Sequence, residues 1–195
     1  MSSSTRQPRR GDTRKRIQDV ALELFAEQGY EKTSLREIAE RLEVTKAALY
    51  YHFKTKEDIL ISVFEDRTRP ITELVEWGER QPHGLETKKE LLRRYSQIVT
   101  GAVPLFRFMQ ENQATVRELS IGDMFKDRLM GLMDVLKEPD AALADQVRCI
   151  SALITMHAAN FHLGDDDGDP EERRAAILEV AVDLVTRAHE GQGGR

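Results

Sequence analysis

The sequence predicts an all-α fold, in which a three-helix N-terminal domain with a helix-turn-helix precedes a larger C-terminal helical domain, about nine helices in all. The composition supports this class, because Ala, Leu, Glu and Arg are abundant and are good helix formers. Apolar residues also recur every three or four positions in successive segments, which is the spacing of one buried helix face. Capping residues and helix breakers separate these segments, so each one is expected to be an amphipathic helix.

The first domain is expected at residues 12–56, after a disordered basic arm at residues 1–11. The arm, MSSSTRQPRRG, is polar and has no apolar periodicity. Asp12 is predicted to cap the first helix and Gly29 to end it. The inward face of this helix carries five apolar residues, namely Ile17, Val20, Ala21, Leu24 and Phe25.

Two short helices are predicted next, at residues 35–42 and 45–52, joined by a turn of about two residues. Capping signals precede these two helices and a long fourth helix: Ser34 with Glu37, Thr45, and Thr55 with Asp58. A pair of this kind can place the outward side chains of its second helix in the major groove of DNA. Helical proteins also use the same pair as a plain packing motif, so the pattern alone leaves both interpretations open.

The second helix of the pair carries side chains that suit DNA. Lys46 is a long donor, and the neighbouring Ala47 and Ala48 are small enough to permit close approach to base edges. Three side chains at the other end of the helix can donate hydrogen bonds to phosphates: Tyr50, Tyr51 and His52. The alternative is that the tyrosines are partly buried core residues and that the nearby lysines are merely solvated.

The C-terminal domain is expected at residues 57–190, followed by a flexible tail at residues 191–195. Gly101 and Pro104 are predicted to break the helix that begins near residue 86. The helices predicted after the fourth span residues 86–101, 104–119, 122–137, 140–163 and 170–189. The last two have broad apolar faces, which favour a homodimer in which they form a four-helix bundle with their symmetry mates. The alternative is a monomer that uses these faces for its own core.

The charge distribution distinguishes the two ends of the chain. The net charge is -5, but residues 1–56 contain 12 Lys and Arg against 8 Asp and Glu, whereas residues 57–195 contain 17 against 26. The first part therefore carries +4 and the second -9. A basic end on an acidic body is expected of a protein that turns one end toward phosphates, although an uneven distribution without a role gives the same numbers.

Several classes of protein are not indicated by the sequence. There is no apolar run of the length that spans a membrane and no signal-peptide pattern, so we expect a cytoplasmic protein without a membrane partner. The single cysteine, Cys149, suits a reducing compartment. Phosphate loops, His-Glu-x-x-His motifs and nucleophile elbows are missing, and the acidic stretch at residues 164–170 lacks the spacing of a calcium loop. We therefore expect no enzyme, no cofactor and no metal.

Two stretches carry a resemblance to a known family. Residues 33–39, TSLREIA, and residues 44–60, VTKAALYYHFKTKEDIL, resemble the N-terminal signature of tetracycline-repressor (TetR) family regulators in order and spacing. The resemblance covers roughly residues 13–60, and the rest of the chain resembles the family only in its helical layout. It implies a dimeric regulator, commonly a repressor, that binds a palindromic double-stranded operator and responds to a small-molecule effector.

The resemblance also implies roles for individual residues. In such proteins the positions of Arg36 and Lys46 commonly face bases, and that of Tyr50 faces either bases or phosphates. The positions that commonly face phosphates are Thr33, Thr45, Tyr51, His52 and Lys56. One departure is Glu43, because the family usually has Gly at this turn position, where the backbone tends to be left-handed.

An effector pocket is expected in the C-terminal domain, where flexible Met and aromatic side chains can line an adaptable apolar site. The candidate ligand-binding residues are Trp77, Tyr95, Phe106, Met109, Asn112, Met124, Phe125, Met156, His157, Asn160 and Phe161. The alternative for each of them is an ordinary place in the core. The rival function for the whole chain is an all-helical protein-interaction adaptor, which would bind DNA weakly and without regard to sequence.

Overall fold

The computed structural model describes residues 10–137, 140–162 and 169–193, and these residues form nine α-helices without a strand. The all-α class predicted from the sequence is therefore confirmed. The helices are α1 (Arg10–Gln28), α2 (Leu35–Arg41), α3 (Lys46–His52), α4 (Lys56–Glu79), α5 (Leu85–Glu111), α6 (Gln113–Glu118), α7 (Ile121–Leu136), α8 (Leu143–His162) and α9 (Pro170–Gly193). The predicted arm up to residue 9, the stop at Pro139 and the acidic stretch up to residue 168 lie outside the described residues.

The predicted caps are present at the starts of α2, α3 and α4. The Ser34 hydroxyl accepts a hydrogen bond from the Glu37 amide while the Glu37 carboxylate accepts one from the Ser34 amide, which is a complete capping box. Thr45 caps α3. Asp12 is different, because α1 begins at Arg10 and Asp12 lies in its first turn instead of at its N-cap.

The predicted break at Gly101 and Pro104 is wrong, since α5 continues through both residues to Glu111. Pro104 lacks an amide hydrogen and Gly101 is a weak helix former, but neither penalty exceeds about 3 kcal/mol. Ala102 and Leu105, on either side of Pro104, are almost fully buried. Burial of that face offsets the loss, so the break comes later in the chain, at residue 112.

The chain divides into two compact units, each with its own core. The first unit comprises Met1–Asp66 and Phe108–Ile121, and the second comprises Arg67–Arg107 and Gly122–Arg195. The change of unit at Asp66 falls within α4, ten residues after the predicted end of the DNA-binding domain. The functional boundary at residue 56 stays a prediction, because the units are defined by packing alone.

In the first unit, α1 and α4 are joined by a buried polar network. The Gln18 amide donates to the Ser62 hydroxyl over 3.0 Å and to an Asp66 carboxylate oxygen over 2.7 Å. The Ser62 hydroxyl in turn donates to the Ile59 carbonyl over 2.8 Å. Because these polar groups have partners, their hydrogen bonds offset the loss of hydration, and the network helps to hold the two helices in register.

In the second unit, α4 and α7 approach closely at a glycine. A Cβ atom on Gly78 would lie only 2.6 Å from the Val135 Cγ1 atom, so a larger residue there would force one helix to move. Helices α8 and α9 pack along each other and bury Ala152, Leu153, Ala181 and Val185. Cys149 of α8 is buried, and its thiol donates to the Leu136 carbonyl over 3.6 Å.

Candidate nucleic-acid interface and ligand site

The turn between α2 and α3 has the left-handed geometry expected of it. Glu43 adopts a φ of +56°, its amide donates to the Glu40 carbonyl, and the Val44 amide donates to the Ala39 carbonyl over 3.0 Å. This pair of bonds is the Schellman motif that commonly ends a helix at a left-handed glycine. Here a glutamate fills that position, and the reversal of the chain brings Thr45 to the start of α3.

Helix α3 is anchored on one side and open on the other. Leu49 is completely buried, and Phe53, which follows the helix, is buried as well. The opposite side is exposed at Lys46 and Ala47, and the Tyr51 side chain is 63% exposed. Tyr51 therefore presents its ring and its hydroxyl group to solvent, where both are accessible to a partner.

Several predicted DNA-binding residues come together on this open side, which we call the α3 surface: Thr45, Lys46, Ala47, Tyr50, Tyr51 and His52. The Lys46 ammonium lies 5.3 Å from the centre of the Tyr50 ring. The His52 ring packs edge to face on Tyr51, with 5.3 Å between ring centres. The Thr45 hydroxyl accepts a hydrogen bond from the Ala48 amide and so serves as the helix cap. These residues form a short run of donors and rings beside two exposed alanines.

Arg36 of α2 is also exposed, and its Nε atom donates to a Glu40 carboxylate oxygen over 2.7 Å. This bond links residues one helical turn apart, and exposed pairs of this kind contribute little to stability. Either an anion or a base edge can therefore compete with Glu40 for the guanidinium at small cost. The side chain remains a candidate for base contact.

The structure does not bring Thr33 to the α3 surface. Its side chain is only 2% exposed, its hydroxyl donates to the Gly29 carbonyl over 2.9 Å, and it accepts a bond from the Gln28 amide. The hydroxyl therefore stabilises the loop between α1 and α2. The phosphate contact expected of Thr33 has no support in this placement.

Lys56 makes its closest contacts inside the first unit. Its ammonium donates to the Tyr30 carbonyl over 3.0 Å, lies 4.2 Å from the centre of the Tyr30 ring and stands 3.8 Å from a Glu31 carboxylate oxygen. The side chain is 19% exposed. Lys56 thus ties the start of α4 to the loop after α1, and a phosphate would have to share its ammonium with these partners.

The N-terminus of a helix can attract a phosphate through its backbone amides. Just before α4, the amides of Lys54 and Thr55 donate to one Asp58 carboxylate oxygen over 3.1 and 3.0 Å. A carboxylate at a helix N-terminus is the usual substitute for an external anion. The chain therefore supplies its own anion at this position.

Tyr30 is a functional candidate that the sequence did not single out. Its hydroxyl donates to a Glu57 carboxylate oxygen over 3.1 Å, and burial together with Glu57 raises the pKa of the hydroxyl. Its ring contacts Phe25 and Phe108, with ring centres 5.0 and 6.1 Å apart. Phe108 is 78 positions further along the chain, so no local pattern marks this contact.

A different group of predicted residues meets in the second unit. The rings of Phe106, Phe125 and His157 are mutually in contact, with centres 5.1 to 5.3 Å apart. The buried Tyr95 hydroxyl forms a short hydrogen bond with the His157 Nε2 atom. Burial lowers the pKa of His157 to about 4 and raises the pKa of Tyr95. Both side chains are therefore neutral at pH 7, and the hydrogen bond joins two uncharged groups in an aromatic surrounding. We call these four residues the His157 cluster.

The other predicted ligand residues are dispersed. Met156 is buried and directly precedes His157 in the sequence. Trp77 and Met124, in contrast, line two separate surface grooves. Met109 and Asn112 belong to the first unit. The Asn112 side chain donates to the Phe108 carbonyl over 2.9 Å. The side chains of Asn160 and Phe161 lie outside the described part of the structure.

Helices α8 and α9 leave apolar side chains in solvent. On α8, Leu143 is 76% exposed, and Val147 and Ile154 are at least half exposed; on α9, Val180 is half exposed. The α8 residues are spaced by four and seven positions, which places them along one side of the helix. A stripe of this kind on a single chain indicates a surface that a partner covers.

Residues 17–63, which contain the helix-turn-helix, match the model of a protein family described as bacterial regulatory proteins, tetR family. The match to this family is limited to these residues. The HTH-type transcriptional regulator AcrR of Shigella flexneri is 48% identical over 63 residues, which is 32% of this chain and 29% of AcrR. The chain thus matches less than a third of the length of that relative.

The fold also resembles those of solved tetR-like structures. A transcriptional regulator from Aquifex aeolicus VF5 superposes with a TM-score of 0.68 at 22% identity, over 86% of this chain and 96% of that one. A TetR-like transcriptional regulator from Rhodococcus sp. RHA1 gives a TM-score of 0.67 at 19% identity, over 97% of this chain and 100% of that one. The arrangement of helices in this chain is therefore similar to that of these two solved structures.

The described part of the chain contains neither a membrane-spanning helix nor a group of side chains arranged for a metal ion. Among residues 10–137, 140–162 and 169–193, no helix has the length and apolar character that crossing a membrane requires. Within the same residues, no group of three or more His, Cys, Asp or Glu side chains is arranged to hold a metal ion.

Proposed function

We propose that the protein is a sequence-specific DNA-binding transcriptional regulator that binds a palindromic operator as a homodimer and is released by a small, largely apolar effector. The observation that carries this proposal is the α3 surface, an exposed face with Lys46, Ala47 and Tyr51 on a helix anchored by Leu49. The match of residues 17–63 to tetR-family regulators supports it. Repression is proposed because it is the commoner action in the family.

Each residue of the α3 surface has a role that follows from its chemistry. Lys46 begins the helix and can donate to the O6 and N7 atoms of guanine, while Ala47 leaves room for the helix to approach the base edges. Tyr51 and His52 donate to phosphates and fix the orientation of the helix on the duplex. Arg36, from α2, can donate to a base in the major groove once its bond to Glu40 is broken.

A palindromic operator is bound by the α3 helices of two copies of the chain, and its half-sites lie about 34–36 Å apart along the duplex. The exposed apolar stripe of α8, together with Val180 of α9, suits an isologous interface in which these two helices and their mates form a four-helix bundle. The interface would remove Leu143, Val147 and Ile154 from water. Burial of these side chains would stabilise the dimer.

The His157 cluster is the proposed effector site. Its lining is aromatic and its two polar groups are neutral, so it suits an apolar molecule with a single hydrogen-bonding group that exchanges partners with Tyr95 or His157. An effector that binds more tightly to the form that does not bind the operator shifts the population away from DNA. A preference of about 1.4 kcal/mol is enough for a tenfold shift.

A selected-oligonucleotide experiment followed by fluorescence anisotropy tests the proposal. We expect one palindromic sequence with half-sites one duplex turn apart, bound much more tightly than a scrambled duplex. Lys46→Ala should weaken operator binding by about tenfold to a hundredfold, because a good base contact is worth about 1–3 kcal/mol. Lys126→Ala, which removes the same charge from an exposed position of α7, is the matched control.

A protein-interaction adaptor is the competing function, and the same experiment separates the two. Equal affinity for the selected and scrambled duplexes, with equal salt dependence, would contradict the regulator and support nonspecific electrostatic binding. Equal weakening by Lys46→Ala and Lys126→Ala would also contradict a base contact.

A further inference from the structure

A groove on the second unit lies between α4 and α5 and is separate from the His157 cluster. Its volume is about 370 Å³, within the range of small-molecule sites. Helix α4 contributes Pro70, Leu74 and Trp77, and α5 contributes Arg94, Gln97 and Ile98. We call it the Trp77 groove. None of its lining residues belongs to the His157 cluster.

We propose that the Trp77 groove binds a compact planar aromatic monocarboxylate, with the ring beside Trp77 and the carboxylate on Arg94. The assignment rests on three properties of the groove: an apolar floor, an aromatic wall that carries the Arg94 guanidinium, and N–H donors on that guanidinium that remain for an anion. The binding step does not depend on the proposed function of the protein.

The floor is apolar and formed from one face of each helix. Pro70, Leu74 and Trp77 are spaced by four and three positions, so they follow each other along one side of α4. Leu74 is almost fully buried, while Pro70, Trp77 and Ile98 are half-buried. A ligand ring placed here would cover apolar surface that water now contacts, which favours binding.

The wall of the groove is a stacked pair. The Arg94 guanidinium carbon lies 4.1 Å from the centre of the Trp77 ring. A guanidinium over an aromatic face is held there by a cation–π interaction, which restricts where its donors lie. Arg94 uses its Nε atom for Glu90, over 2.8 Å, and a guanidinium has four further N–H donors. These donors match the two oxygens of a carboxylate.

The charges around the groove favour an anion. Glu90 is shared by two arginines, since the Arg93 Nη1 atom also lies 3.6 Å from one of its oxygens. One carboxylate therefore faces two guanidinium groups. The other acid at the groove, Glu73, lies 3.5 Å from the Arg69 Nε atom, so its charge is already balanced. Arg94 is the cation that lines the groove, and its remaining donors favour a carboxylate over a neutral molecule or a cation.

The position of the groove suggests how occupancy would be communicated. Pro70 lies inside α4 and cannot donate the helical hydrogen bond to the residue one turn earlier, Asp66, where the chain passes from one unit to the other. A ligand in contact with Pro70 therefore acts on a turn of α4 that lacks one helical hydrogen bond. This coupling to operator binding, unlike the binding itself, rests on the proposed function.

Trp77 is the single tryptophan of the chain, so its fluorescence reports on this groove alone. Full-length protein is titrated with 2-naphthoate and, as a matched neutral probe with the same ring, with 2-naphthamide. We expect a saturable change in Trp77 emission with the acid, and binding of the amide at least about tenfold weaker, because the amide lacks the charge that Arg94 recognises. Calorimetry with the same two probes provides a readout independent of fluorescence.

Two arginine variants sharpen the assignment. Arg94→Gln should weaken 2-naphthoate binding at least about tenfold, whereas Arg93→Gln, which removes the same charge from the other partner of Glu90, should change it less than about twofold. Circular dichroism verifies that both variants are folded. Trp77→Phe, followed by calorimetry, should weaken binding of both probes because it reduces the aromatic wall.

Several outcomes would overturn the proposal. Absence of saturable binding of 2-naphthoate would contradict the proposed site. Equal affinity for 2-naphthamide would contradict recognition of a carboxylate. Equal losses in the two arginine variants would show that bulk charge, and not Arg94, attracts the acid. Operator binding is measured separately without any naphthoate, so a chain that binds the acid but no operator would contradict only the proposed function.

Discussion

The α3 surface and the His157 cluster differ in how far apart in sequence their residues lie. The α3 surface is formed by residues 45–52 and is oriented by bonds that each join residues within a few positions, such as the Thr45 cap and the Val44 to Ala39 bond. The His157 cluster joins Tyr95 to a residue 62 positions away. The proposed DNA-binding surface depends on local signals on a small anchored helix, whereas the His157 cluster, the proposed effector site, needs the tertiary fold to form.

The largest expected effect concerns the α3 surface, which depends on local contacts. Leu49 is the buried anchor of α3, and Leu49→Ala should destabilise the first unit by about 2–5 kcal/mol through lost burial and a cavity. Urea unfolding followed by far-UV circular dichroism measures the loss. Ala48→Gly, on the exposed side of the same helix, is the control and should cost about 1 kcal/mol or less. A similar cost for both would mean that Leu49 does not anchor the helix.

The His157 cluster should respond to pH, because the folded state holds His157 neutral. The pKa of His157 is lowered to about 4 by burial, below its unfolded value of about 6.5. The unfolded state therefore binds the proton more readily, and stability is lost as the pH falls from about 6.5 toward 4. Between pH 7.5 and pH 4.5 the contribution of this group should fall by about 2.5 kcal/mol.

Urea unfolding of the wild type and of His157→Gln at these two pH values checks the effect, since glutamine does not titrate. The two proteins should differ in their pH dependence by about the amount above. Parallel pH dependence would show that His157 is accessible to protons in the folded state, and the cluster would then not be an enclosed neutral site.

The smallest expected effect lies in the turn before α3. Glu43 adopts a left-handed conformation that costs about 1 kcal/mol for a residue with a Cβ atom. Glu43→Gly should therefore raise the midpoint of thermal unfolding by a few degrees, as long as the domain unfolds cooperatively. Glu65→Gly, an exposed position inside α4, has the opposite expected sign because glycine weakens a helix interior. A decrease in stability for Glu43→Gly would contradict the strain.

The same distinction between local and distant contacts explains what the sequence could predict. The caps at Ser34 and Thr45 and the left-handed turn at Glu43 depend on residues a few positions apart, and all three are present. The break at Gly101 and Pro104 was wrong because local preference for a turn competes there with burial of Ala102 and Leu105, which only the tertiary structure decides.

Individual site residues were hard to predict for the same reason. Thr33 has the chemistry to bind a phosphate, but its hydroxyl is used by carbonyl and amide groups of the α1–α2 loop. Lys56 is held by the carbonyl of Tyr30, 26 positions earlier in the chain. A residue type states which bonds a side chain can make, and the fold determines which of those bonds are already made inside the molecule.

The glycine at position 78 has a consequence for how a signal could travel through the second unit. With no side chain between them, the backbone of α4 and the methyl groups of Val135 leave no gap that could absorb a displacement, because tightly packed interiors are nearly incompressible. A movement of α7 toward α4 at this point would therefore press directly on the C-terminal end of α4. The absence of a side chain at Gly78 permits this close contact. A larger residue would require Val135 to shift or the two helices to adopt a different spacing.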